Sequence, residues 1–228
     1  MSILPRDCVQ PAFKGQTTIV RDGLYELPEK ECFIYVLYNA LSETDRANYL
    51  QQAVKVDRKT GQSGFGPKPR SEVCYTPNGQ PYKYSGKNHY TTKYPSHVEK
   101  IIPSLLRSFS NELEKHELKN QFTILSNAVD IIYSDAFPRG GSISAHKDNE
   151  QPWGLVLVFS LGQTRWLRVR HDTTKEFFNV QLRDNSLVAM FGKDFQKCFT
   201  HQVDKLSEKE FVGTRLSLNV RFLSSTDE

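Results

Sequence analysis

The sequence predicts an α+β protein with a mainly β core, a closed or sandwiched β structure preceded by helices. Three observations carry this. Beyond residue 127, short β-rich segments follow one another with turn residues between them. The last of them, Arg215-Leu216-Ser217-Leu218-Asn219-Val220-Arg221-Phe222, alternates apolar and polar residues without a fault, so one face belongs to a core. Helical periodicity is confined to residues before 120. A chain of 228 residues, 38% hydrophobic, is long enough to bury a sizeable single core.

Taken in order, residues 1–30 hold Pro5, Pro11, Gly15, Gly23 and Pro28 with little periodicity, and read as an N-terminal extension that wraps the surface. Glu31 to Leu37 reads as a strand. Ser42 is a good N-cap for a helix from Thr44 to Ala53, with Ala47, Leu50 and Ala53 inward. Asp57 to Gly66 has three glycines and no apolar periodicity, the pattern of a mobile loop. Pro69-Arg70, the turn Tyr75-Thr76-Pro77-Asn78-Gly79 and Tyr82-Lys83-Tyr84-Ser85-Gly86 read as a hairpin with Tyr82 and Tyr84 on one face. From Ser96 to about Leu118 a second helical region is expected, interrupted near Pro103, with Leu105, Leu106, Phe109 and Leu113 inward. The strands that follow are 128–133, 142–148, 155–161, 166–170, 177–182, 186–191 and 215–222. Gly140-Gly141 allows a close backbone approach before the second of these.

Composition excludes several classes. No apolar run approaches the ~20 residues of a membrane helix, and Met1 to Asp7 lacks the apolar core of a signal peptide. The expectation is an intracellular protein, cytoplasmic or nuclear, and monomeric. Cys8, Cys32, Cys74 and Cys198 show no paired spacing, and read as reduced thiols, Cys32 and Cys198 packing in the core. The net charge is only +4, but residues 55–107 hold ten Lys or Arg against three acids. Interleaved with these cations are Phe65, Tyr75, Tyr82, Tyr84, Tyr90 and Tyr94. Cations that neutralise phosphates beside rings that stack on bases suit a nucleic acid strand.

The chemistry is concentrated in Gly140 to Glu150. His146 and Asp148 lie two apart, so they share a face in extended backbone and can grip one ion. His201 is the best placed third donor. Two histidines and a carboxylate form a facial triad, which leaves open positions and suits non-haem Fe(II). On the terminal strand, the polar face of Arg215, Ser217, Asn219 and Arg221 is suited to hold a dicarboxylate in a bidentate fork.

Together, His146-x-Asp148, His201, the Arg-x-Ser-x-Asn-x-Arg strand, Pro69-Arg70, Tyr75 and Tyr82 to Gly86 resemble the AlkB-type iron(II)/2-oxoglutarate dioxygenases over residues 67–222. That resemblance implies a double-stranded β-helix, or jelly roll, in one domain spanning 1–228, with a substrate lid at 57–95 and a catalytic β-core at 127–222. It implies Fe(II) on His146, Asp148 and His201, with 2-oxoglutarate and O2 as cosubstrates. Arg215 would hold the far carboxylate, helped by Ser217 and Tyr133, with Arg221 nearer the keto-acid end. Where the family often has Asn-Arg-Tyr this chain reads Ile131-Ile132-Tyr133, and Asn127 is the amide available to substitute. On the substrate side, Tyr84 would stack on an extruded base beside Tyr82, with Arg70, Lys83 and Lys87 on phosphates. Glu150 would meet the amino edge of the base. The implied reaction is oxidative demethylation of bases such as 1-methyladenine or 3-methylcytosine in single-stranded or base-flipped nucleic acid. It would release formaldehyde and succinate. Two other classes remain: a 2-oxoglutarate hydroxylase of protein or small molecules, and a zinc-bound or non-enzymatic β module. The latter leaves the Arg215/Arg221 face without a task.

Overall fold

A computed structural model of the chain describes residues 17–29, 31–63, 66–76, 78–79, 81–84, 87–89, 91–116, 129–137, 141–148 and 155–223. Asn127, Glu150, Ser85, Gly86 and residues 1–16 of the expected extension lie outside the described residues.

The chain begins with short strands β1 (Thr17–Ile19) and β2 (Gly23–Glu26), then β3 (Phe33–Tyr38) and helix α1 (Glu43–Ala53). Strands β4 (Lys59–Ser63), β5 (Gly66–Thr76), β6 (Tyr82–Tyr84), β7 (Lys87–His89) and β8 (Thr92–Lys93) precede helix α2 (Ser96–Lys115). The remainder is β9 (Val129–Phe137), β10 (Ile143–His146), β11 (Val156–Gly162), β12 (Arg165–His171), β13 (Phe177–Leu182), β14 (Ser186–Phe191), α3 (Phe195–Cys198), β15 (Phe199–Val203) and β16 (Arg215–Leu223).

Two sheets face each other. The larger runs β2-β3-β14-β11-β16-β9-β5-β4, with β8 on β5, and the smaller runs β1-β13-β12-β15-β10. From β9 onward the chain crosses between them in the antiparallel pattern of a jelly roll, β11, β14 and β16 in one sheet and β10, β12, β13 and β15 in the other. β6 and β7 form a separate two-stranded hairpin.

Alternation along the central strands divides the apolar residues into two layers. Val156 and Val158 of β11 meet Leu167, Val169, Phe178, Val180, Phe199 and Val203 between the sheets. Leu157, Phe159 and Leu161 turn the other way and pack with Leu216, Leu218 and Val220 of β16 against the helices. The hub of that layer is Phe109 of α2, fully buried, its ring against Tyr35 and Phe191. No described helix is long and apolar enough to cross a membrane.

Several expectations need correction. Helix α2 is not interrupted at Pro103 but runs through it. Pro103 is exposed, so water can satisfy the carbonyl that loses its donor, and the buried face of Val98, Ile101, Ile102, Leu105, Phe109 and Leu113 holds the helix together. In α1 the Ser42 cap forms as expected, its hydroxyl accepting from Asp45 N–H at 3.1 Å. Leu50 and Ala53 face inward as expected, but Tyr49 joins them and Ala47 is exposed. The expected loop from Asp57 to Gly66 contains β4 and the start of β5, paired antiparallel around a register shift. Ladder bonds to a formed neighbour override the poor β propensity of its glycines. β1 and β2, at the end of the expected extension, add strands to the two sheets.

Phe109→Ala should cost about 3–5 kcal/mol of unfolding free energy, the range for truncating a buried aromatic. Urea denaturation followed by circular dichroism measures it.

Candidate metal centre

His146 ends β10 and His201 is the middle residue of β15, and the two are directly paired in the ladder between these strands. Their rings lie 4.2 Å apart by centroid. Asp148 follows β10 and is 1% exposed. Its Oδ2 is 3.4 Å from His201 Nε2 and its Oδ1 is 4.0 Å from His146 Nε2. One ligand atom from each residue falls within 4.8 Å of the others, and among the described residues this is the group of His, Cys, Asp and Glu side chains with that property. Cis ligands held about 2.1 Å from a shared ion stand about 3 Å apart, so small side-chain adjustments close the set on a metal.

The protonation states fit a ligand set. Burial, reinforced by the neighbouring His201, depresses the His146 pKa to about 4, so its imidazole is neutral at neutral pH. The Ser144 carbonyl accepts from Nδ1 at 2.9 Å, which leaves the Nε2 lone pair for the ion. Burial alone would raise the Asp148 pKa, but the charge of Arg221, followed by His201 and His146, holds it well below the usual carboxylate range. Arg221 Nη2 donates to Asp148 Oδ1 at 2.7 Å. Asp148 Oδ2 is buried without a hydrogen bond, as is His201 Nδ1. A buried carboxylate oxygen with no donor, beside the His201 imidazole and near that of His146, is where a cation belongs. Two imidazoles, one carboxylate and no thiolate suit non-haem Fe(II).

A polar tract leads away along β16. Arg221, Asn219, Ser217 and Arg215 alternate with the apolar residues of the helix-side core. Arg215 is 1% exposed and donates from Nη2 to Ser160 Oγ at 2.9 Å. Arg215 pairs with Gly162 in the ladder while Ser160 pairs with Ser217, so the guanidinium leans two positions toward the Asp148 end. Asn219 donates to Ser217 Oγ at 3.2 Å. Tyr133 of β9 stands opposite Asn219 in the register. Of the expected substrate residues, Arg70 is largely buried and bound to Glu72 at 3.3 Å. Lys83 pairs with Asn88, and Tyr82 and Tyr84 with His89 and Lys87, in the backbone of the β6–β7 hairpin.

His171, His97 and His116 also fall away from this group. His171 ends β12, donating from Nε2 to Glu29 and accepting Thr174 N–H at Nδ1. His97 and His116 are partly and largely buried: His97 sits against the Tyr49 ring and His116 against Glu112. Residues the sequence did not single out are Ser160, the one polar residue in the run Leu155 to Leu161, Gln196, whose Oε1 accepts Asp148 N–H at 2.8 Å, and Arg165. The isolated Ser160 was the one readable signal.

A family model described as the 2OG-Fe(II) oxygenase superfamily matches residues 33–221. Among solved structures, OsALKBH1 shares the fold at a TM-score of 0.58 and 15% identity, over 82% of this chain and 97% of that one. An oxidoreductase of the 2OG-Fe(II) oxygenase family from Burkholderia pseudomallei gives 0.56 and 12%, over 83% and 85%. A bsmA homologue from Methylobium petroleophilum PM1 gives 0.54 and 14%, over 84% and 88%. Comparison with the curated proteins gives no match.

His146→Ala, Asp148→Ala and His201→Ala should each abolish tight binding of Mn(II), a redox-silent stand-in for Fe(II), in isothermal titration, since each removes one of three protein ligands. Far-UV circular dichroism should remain that of the parent.

Proposed function

The chain belongs to the 2OG-Fe(II) oxygenase superfamily and is an Fe(II)/2-oxoglutarate-dependent dioxygenase, and from that premise we propose that it removes N-alkyl groups from bases in a nucleic acid strand. The observation that carries this reading is that a facial triad shares one chain with a basic, tyrosine-bearing hairpin, Tyr82–Tyr84 with Lys87–His89, separate from both main sheets. The order of motifs along the sequence and the likeness to a structure named as an ALKBH protein favour the same reading.

In this scheme His146, Asp148 and His201 hold Fe(II), which supplies the oxidising chemistry when 2-oxoglutarate and O2 are bound. Arg215 takes the far carboxylate of 2-oxoglutarate in a buried, water-poor setting where a charge-assisted pair is strong. Ser217, Tyr133 and Asn127 complete that pocket. Arg221 holds Asp148 ionised and oriented, and borders the keto-acid end. Residues 57–95 receive the strand: Tyr84 stacks on the extruded base with Tyr82 beside it, and Lys83 and Lys87 meet phosphates. Arg70, already engaged by Glu72, contributes less charge than a free cation. Glu150 meets the amino edge of the base, and its charge favours cationic lesions such as 1-methyladenine and 3-methylcytosine. Hydroxylation of the N-alkyl carbon gives a hemiaminal, which collapses to formaldehyde and the repaired base.

Incubating methylated oligonucleotides with the protein, Fe(II) and 2-oxoglutarate, and weighing the products, tests the reading directly. The expected product is lighter by one methylene per methylated base, with formaldehyde and succinate formed. Consumption of 2-oxoglutarate without any change in the oligonucleotide mass points instead to a protein or small-molecule substrate.

Arg215→Ala should raise the 2-oxoglutarate requirement steeply, because losing one partner of a desolvated charge pair costs about 3–5 kcal/mol. Oligonucleotide affinity should not change. Within the lid, Lys83→Ala or Lys87→Ala should each lower the log–log salt slope of binding by about one unit. Tyr84→Ala should lose about 1–3 kcal/mol of affinity with the slope nearly intact. Fluorescence anisotropy at several salt concentrations separates the two effects.

A further inference from the structure

The segment that brings His146 and Asp148 together is only partly held by its sheet: His146 ends β10 and Asp148 lies two residues beyond it. β10 is four residues long and lies at the sheet edge, so ladder bonds reach it from β15 alone, and the register slips between Ile143 and His146. Register in such a strand is weakly specified by the backbone, yet metal ligands must be held to about 0.5 Å.

Two buried polar side chains act where the ladder is weak. Before β10, Arg165 reaches from β12 past the intervening β15. It is fully buried, and its Nη1 donates to the Gly141 carbonyl at 3.1 Å and to the Asp204 carbonyl at 3.2 Å. One guanidinium therefore ties the chain just ahead of β10 to the chain just after β15. Beyond β10, Gln196 of α3 accepts the Asp148 N–H at 2.8 Å, and it too is buried. α3 runs directly into β15, so this bond joins the Asp148 segment to the segment that carries His201. Burial in an apolar surround depresses the Arg165 pKa, the sign of a cation placed where solvation is poor. Stability alone would be served as well by apolar packing at both positions.

We propose that Arg165 and Gln196 are positioning residues that hold the His146–Asp148 segment in register against β15, and thereby set the affinity for the divalent ion without touching it. The inference rests on the reading of His146, Asp148 and His201 as the metal ligands. Arg168, three positions after Arg165 and so on the opposite face of β12, supplies a control: its pair with Asp204 at 2.8 Å also reaches the chain just after β15 but makes no tie to the segment before β10.

The test is Co(II) titration of the metal-free full chain without cosubstrate, read from the ligand-field absorption bands and paired with the melting temperature of each metal-free variant. Gln196→Leu and Arg165→Met should weaken Co(II) binding by roughly 10–100-fold, the usual effect of removing an outer partner of a metal ligand, and should change the band shape. Gln196→Glu, which keeps an acceptor for Asp148 N–H, should recover affinity toward the parent. Arg168→Met should bind Co(II) like the parent. Arg165→Lys, which keeps the charge but cannot span both carbonyls as a fork does, replaces Arg165→Met should that protein not fold, with the same loss expected. Parental affinity and bands in the Gln196 and Arg165 variants, even with lowered melting temperatures, overturn the proposal and reduce both residues to scaffold. Retained Co(II) binding in His201→Ala overturns the ligand assignment beneath it, a different failure read from a different protein.

Discussion

A carboxylate removed from water must be compensated by charge and hydrogen bonds, or it will protonate or unfold its surroundings. Asp148 meets that condition in this fold, and much of the fold's arrangement can be traced to it. The compensating cation, Arg221, stands on the large sheet, while Asp148 extends from the edge strand of the small one. Their contact is therefore a tie between the two sheets. It fixes one oxygen of the carboxylate and leaves the other beside the His201 imidazole. The backbone bond to Gln196 fixes the same residue from a third direction. A group constrained in this way keeps its charge and its aim, which are the two properties that a metal ligand requires.

The apolar layers explain why the tie can be made at this place. β11 and β16 contribute side chains to both faces of the large sheet, so these strands are gripped by the helices on one side and by the small sheet on the other. Polar residues on such strands are tolerated only where partners exist. Arg215 with Ser160, Ser217 with Asn219, and Arg221 with Asp148 set three polar pairs along one face of β16, opposite its apolar face. A tract with a fully buried cation at its far end suits a small dicarboxylate better than it suits water.

The parts that were legible in the sequence share a property: their signal is local. His146 and Asp148 announce themselves by a spacing of two, and Arg215 to Phe222 by unbroken alternation. The alternation holds along β16, and the spaced pair meets in the structure although the strand stops at His146 and Asp148 lies just past it. Signals that depend on distant partners did not show. Arg165 and Gln196 are ordinary residues until β10, β12 and β15 are brought together. In α1 the inward face holds Leu50 and Ala53 as the spacing implies, but Tyr49 is buried and Ala47 is exposed, because a helix that is polar nearly all round sets its buried edge by what the neighbouring residues offer. β4 and β5 were hidden by glycine and lysine, residues that strands accept when a neighbour supplies the ladder. β1 and β2 are too short to display a period.

Pairing His146 with His201 places the ligands at opposite ends of a long loop in the chain, 55 residues apart in sequence but directly opposed in space. Contacts of that separation bear a large loop-closure entropy and tend to form late. The intervening residues build β11 to β14, so the two imidazoles are brought together by strands laid down between them. A partly folded chain thus has no preformed place to capture an ion through these histidines. Metal binding then acts almost entirely on the finished barrel, and its free energy adds to the stability of the native state alone.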